Sequence, residues 1–74
     1  LPGVDVVLTG WKPGLNKVRL TRILQAGGIG LGEASTLTGQ VLDRVPVRVH
    51  LSQFPTLAQA RAALTEIGIA EVRA

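Results

Sequence analysis

Apolar positions along this chain alternate with a period of two in some segments and recur at helical spacing in others. Val4, Val6 and Leu8 alternate, which predicts a strand over Val4–Thr9, and Val7 suggests partial cover on its other face. Two glycines and a proline in Gly10-Trp11-Lys12-Pro13-Gly14 predict a long first loop over residues 10–16. Asn16 then suits the N-cap of a helix over Lys17–Gln25, stopped by a left-handed Gly27 or Gly28. At about 100° per residue, Leu20, Ile23 and Leu24 share the inward face. Lys17, Val18, Thr21, Arg22 and Gln25 share the outward one, so Val18 is an apolar side chain expected in solvent between two cations.

A second helix is predicted from about Leu31, with Leu31, Ala34, Leu37, Val41 and Leu42 turned inward, Gly30 as N-cap and Glu33 in the first turn. Gly39 should weaken its end by roughly 1 kcal/mol relative to Ala. Val45–Leu51 is the cleanest strand pattern: Val45, Val47, Val49 and Leu51 inward, Arg48 and His50 outward. Pro46 has no N–H to donate, so it fits a strand start or an edge. Thr56 caps a third helix, with Gln59 placed to complete a capping box and Leu57, Ala60, Leu64 and Ile67 as its buried stripe. Gly68 closes that helix, and Ala70–Ala74 forms a short last strand. The order β-α-α-β-α-β predicts an α+β fold over residues 1–74 as a single domain: a three-stranded sheet with three helices packed on one face.

Size and composition sharpen this picture. A 74-residue domain buries only about 60% of its unfolded surface. There is no cysteine to staple it. With one Trp and one Phe among 46% hydrophobic residues, the core must be aliphatic. No apolar run approaches the roughly 18 residues of a membrane span, so no membrane partner is expected. The absence of cysteine and of a signal-peptide pattern points to a cytoplasmic location.

The charge is unevenly placed. In residues 1–30, Lys12, Lys17, Arg19 and Arg22 face only Asp5, so this stretch carries the entire net charge of +3. From residue 31 on, Arg44, Arg48, Arg61 and Arg73 balance Glu33, Asp43, Glu66 and Glu71. Charge of one sign gathered on one helix points to a docking surface for an acidic partner. On that reading Lys17, Val18, Thr21, Arg22 and Gln25 bind the partner, with Lys12 and Trp11 at the rim. Trp11 is open to two readings: it folds back over the edge of the sheet or a helix, or it extends the docking surface beside Lys17.

Catalytic and metal chemistry find little support. His50 is the only histidine and has no cysteine or second histidine near it in sequence, so no metal or other cofactor is expected. Nothing in the pattern pairs it with a nucleophile, and the chain is read as non-catalytic. The glycines at 28 and 30 follow a helix rather than a strand, and Glu33 stands where a dinucleotide-binding motif needs glycine. Gly27-Gly28-Ile29-Gly30 between two helices does fit the Gly-x-x-Gly loop of KH-type nucleic-acid-binding domains, with Gly27 and Gly30 as the binding residues of that alternative. Its two middle residues supply no cation for phosphate, so a nucleic-acid partner is disfavoured.

Four segments together resemble the C-terminal domain of the bacterial ribosomal stalk protein, the L-seven/L-twelve family: Val4-Asp5-Val6-Val7-Leu8, Asn16-Lys17-Val18, the Gly28–Ala34 elbow, and Ala63–Val72. The resemblance spans residues 4–74. It implies a mobile arm that recruits translational GTPases, elongation factors Tu and G among them, through a basic and apolar face of the first helix. Lys17, Val18 and Arg22 are the matching positions, Arg22 standing in for a lysine. The chain departs from the family pattern at Thr21, Gln25, Gly32 and Ser35, where the family carries isoleucine, arginine, lysine and lysine. Attachment to a ribosome would need an N-terminal anchoring segment outside these residues. The alternative within the same fold is a stand-alone relative with a non-ribosomal protein partner. The Clp protease adaptor shares the general fold, but its Asn-Asp and Thr-Pro-Met signatures are missing. Charge reversal at Arg22 is expected to weaken partner binding, and reversal at Arg61 to do little.

Overall fold

The computed structural model describes residues 2–74. Six elements follow in the order β1 (Val4–Trp11), α1 (Lys17–Ala26), α2 (Leu31–Leu42), β2 (Val47–Leu51), α3 (Leu57–Glu66) and β3 (Ile69–Arg73). The three strands form one antiparallel sheet in the order β2-β1-β3. The expected α+β architecture is therefore present. β1 takes the centre because its alternating Val6 and Leu8 are fully buried under the helices. Val47, Val49 and Leu51 of β2 continue that inner face, with Leu20, Leu24, Ala34, Val41, Ala60 and Leu64 descending from the three helices to meet it. The core is aliphatic, as the composition requires, with Phe54 and Trp11 packed only at its margin. The outer face of the sheet carries Asp5, Val7, Arg48 and His50, all exposed or half-exposed. No helix is long and apolar enough to cross a membrane among the described residues.

The first loop is shorter than the composition of residues 10–16 suggests. Gly10 and Trp11 belong to β1, and Trp11 pairs with Ile69 of β3. Gly10 has φ +70°, a left-handed conformation that glycine adopts without a Cβ penalty. It interrupts the regular alternation, and beyond it both Trp11 and its partner Ile69 pack with the core. A glycine inside a strand thus redirects the chain where sequence composition read a loop. The last strand likewise begins at Ile69, directly after Gly68.

Two of the three helices end in the same capping arrangement. At the end of α1 the Gly28 N–H donates to the Gln25 carbonyl (2.9 Å) and the Ile29 N–H to Leu24 (3.2 Å), with Gly28 left-handed at φ +97°. At the end of α2 the Arg44 N–H donates to Val41 (3.0 Å) and the Val45 N–H to Gln40 (2.9 Å). There the left-handed residue is Arg44, φ +61°, where glycine is usual. Its guanidinium compensates by lying 4.9 Å from the centre of the Trp11 ring and reaching the Trp11 carbonyl at 3.5 Å. This cap occupies Val45, so β2 starts two residues later than the apolar alternation predicts, and Val45 is 45% exposed instead of inward. Pro46 falls just before β2, which is an edge strand.

Asn16 caps α1 by accepting from the Arg19 N–H at 3.0 Å, and Thr56 caps α3 by accepting from the Gln59 N–H at 3.2 Å. Gly68 (φ +114°) lets the chain pass against Leu15: a Cβ there would sit 2.7 Å from the Leu15 Cα. The Asn16 N–H to Ile67 carbonyl bond (2.9 Å) and the Lys12 N–H to Gly68 carbonyl bond (2.8 Å) seal the same crossing.

Candidate functional site

Helix α1 contradicts the usual charge preferences of a helix. The positive end of its dipole lies at the N-terminus, yet its first turn carries Lys17 and Arg19 and no acidic residue. Each cation there is disfavoured by a few tenths of a kcal/mol, up to about 1 kcal/mol. No ion pair among the described residues neutralises them. The ion pairs among the described residues are His50 with Asp5 (2.7 Å) and Arg73 with Glu71 (3.6 Å), so Lys17, Arg19 and Arg22 have no acidic partner. Locally unfavourable chemistry that the fold retains makes this face of α1 a candidate site.

Beside these cations lies an open groove of about 300 Å³ lined by Lys17, Val18, Thr21, Arg22, Gln25 and Leu31. Five of these are the residues that helical geometry grouped on the outward face. The structure adds Leu31, which the spacing of α2 had placed in its buried stripe. Leu31 is 62% exposed and Val18 61% exposed, so the groove has two apolar contributors, one from each helix. Of the stripe expected of α2, Ala34 and Val41 are buried and Leu37 and Leu42 half-buried, while Thr38, outside that stripe, is buried as well. Leu31 precedes Ala34 by one turn, at the elbow, and meets the outer side of α1 instead of the sheet. Its position at the first residue after the Gly27–Gly30 elbow was the available signal, because a first turn extends past the element that the rest of its helix covers.

Thr21 is half-buried, not free in solvent. Its hydroxyl lies 2.9 Å from that of Thr38, the one buried polar residue among those described. This contact links α2 to α1 beside the groove that Thr21 lines.

Trp11 and Lys12 lie outside the groove lining. The Trp11 indole N–H donates to the Leu42 carbonyl at the end of α2 (3.0 Å), and the ring is half-buried under Arg44. The structure thus resolves the open reading of Trp11 as the one that folds back over a helix. Lys12 is exposed, with its backbone N–H held by Gly68.

Three of the four amides of the Gly27–Gly30 elbow are engaged. Gly27, Gly28 and Ile29 donate to carbonyls of α1, and a Cβ at Gly27 would stand 3.0 Å from the Leu51 side chain. These amides cap a helix and are not turned outward to hold a phosphate backbone.

His50 sits on the outer face of the sheet with Nδ1 2.7 Å from Asp5 Oδ1 and Nε2 2.8 Å from the Pro2 carbonyl. Both neighbours are acceptors, so both ring nitrogens donate only when the imidazole is protonated. The hydrogen bond to Asp5, and then that to Pro2, raise its pKa above the ordinary value. Among the described residues no group of three His, Cys, Asp or Glu side chains is placed to hold a metal ion. Comparison with protein-family models, with curated proteins and with solved structures finds no match to this chain.

Proposed function

We propose that this chain is a non-catalytic protein-interaction domain that docks an acidic surface of a partner protein onto the exposed face of α1. The observation that carries this reading is the coincidence of three cations without acidic partners and an apolar groove on one helix. Lys17 and Arg22 steer the partner and set its register, while Val18 and Leu31 supply the contact that excludes water. The sequence resemblance to the ribosomal stalk domain narrows the partner class to translational GTPases, because Lys17, Val18 and Arg22 are the positions that the family uses for them. A stand-alone relative would use the same face for a different acidic protein.

The test is an NMR titration of the labelled domain with elongation factor G, with single-stranded RNA as a parallel titrant. The expected result is a set of shifts confined to α1 and Leu31, and binding weakened about tenfold or more by Arg22→Glu. Arg48→Glu is the control for non-specific charge, since Arg48 is exposed on the outer face of the sheet. Arg61 suits that purpose less well than its sequence position suggests, because its Nε–H donates to the Val72 carbonyl of β3 at 3.0 Å. Equal losses at Arg22 and Arg48 would reduce the interaction to net charge. Shifts at Gly27–Gly30 with RNA alone would replace this reading by the nucleic-acid one.

A further inference from the structure

A second groove lies on the other flank of α1. Arg19, Arg22, Ile23, Ala26, Gln53 and Phe54 line about 410 Å³ between α1 and the loop that follows β2. The loop is held there by the Gln53 side-chain amide, which donates to the Ile23 carbonyl (2.8 Å), and by Ser52 Oγ, 3.5 Å from the Gly27 carbonyl. Ile23 and Phe54 are half-buried and form an apolar floor. Arg22 is common to both grooves. At about 100° per residue it points directly away from the buried Leu20 and Leu24, so it forms the crest of α1 between them.

We propose that the two grooves are one composite site, occupied by a single acidic amphipathic helix of a partner that crosses α1 and seats one apolar side chain on each side of Arg22. The inference rests on the docking reading given above and extends it to the second groove. Charge complementarity selects the occupant. The two linings contain Lys17, Arg19 and Arg22 and no acidic residue, so the segment between the apolar anchors must be acidic. A second copy of this chain would bring the same cations against themselves. The spacing follows from helix dimensions. A helix is about 10 Å across with its side chains, and about seven residues of a crossing helix span that distance at 1.5 Å each. The partner helix therefore carries apolar residues at i and i+7, with carboxylates at i+3 and i+4 on the same face, over Arg22.

The probe is a synthetic helical peptide with leucines at i and i+7, glutamates at i+3 and i+4, and a version with the second leucine replaced by glutamate. Each is titrated into the labelled domain and into two variants: Val18→Glu, which alters only the first groove, and Ala26→Glu, which alters only the second. Both sites are exposed helix positions, and retained amide dispersion verifies folding before titration. The expected result is simultaneous shifts at Val18 and Leu31 and at Ala26 and Phe54. Each variant should weaken the two-leucine peptide about tenfold, and the single-leucine peptide should bind the unaltered domain about tenfold more weakly. A loss with Val18→Glu but none with Ala26→Glu overturns the composite site and leaves the docking reading intact. A loss with Ala26→Glu alone overturns both. So does an absence of shifts in either groove at millimolar peptide.

Discussion

The hydroxyls of Thr21 and Thr38 lie 2.9 Å apart across the junction of α1 and α2. Thr21 is also 3.0 Å from the Lys17 carbonyl, and Thr38 is 3.0 Å from the Ala34 carbonyl. Two hydroxyl protons therefore serve three contacts: when one hydroxyl donates to the other it gives up its own carbonyl, and when both donate to carbonyls no proton lies between them. The pair is a polar link in a largely aliphatic seam, and Thr21 also lines the groove. Thr38→Val is expected to lower stability by about 1 kcal/mol, read from urea unfolding. The double variant Thr21→Val, Thr38→Val should cost less than the sum of the two singles, because it leaves no orphaned partner. Strict additivity would show that the hydroxyls do not interact.

Lys17→Glu separates stability from binding. Glutamate at the start of α1 matches the helix dipole where lysine opposes it. The variant should be more stable by about 0.5 kcal/mol in chemical denaturation. It should bind the acidic partner several-fold more weakly. A variant that loses both would mean that Lys17 has a structural task that its exposure does not reveal.

Two glycines should respond to alanine in opposite directions. Gly39 lies within α2 and a Cβ there meets open space, so Gly39→Ala is expected to stabilise by about 0.5–1 kcal/mol. Gly68 is left-handed and a Cβ would approach the Leu15 Cα at 2.7 Å. Gly68→Ala should cost about 1–3 kcal/mol, seen as a lower denaturation midpoint with an unchanged slope.

The His50 contact makes stability depend on pH in a defined direction. The Asp5 hydrogen bond, followed by the Pro2 carbonyl, raises the folded-state pKa above 6.5. The unfolded imidazole titrates at about 6.5, so the stabilisation is complete below that pH. It is lost as pH rises through the folded value. NMR of the His50 ring should show a pKa above 6.5 that falls in Asp5→Asn. An unchanged pKa in that variant would remove Asp5 as the cause.

Most of the architecture is legible in local pattern. The inward residues of α1 and α3, the alternation of Val47, Val49 and Leu51, and the caps at Asn16 and Thr56 are all short-range signals. They depend on side-chain periodicity and on hydrogen bonds that span three residues, which a linear sequence displays directly. The outward set on α1 is legible for the same reason.

What the sequence by itself determined is thus the order of the elements, the face that each turns to the core, and the gathering of cations on α1. Only the tertiary structure decided the places where separate elements meet. It turned Gly10 and Trp11 into strand through pairing with Ile69, and gave Trp11 a partner 31 residues away at Leu42. It drew Thr21 into a contact with Thr38, moved Leu31 into the groove, and brought Gln53 and Phe54 beside Ile23. These outcomes depend on how helices dock on a twisted sheet. Periodicity fixes a side chain's direction about its own axis but not what lies opposite it.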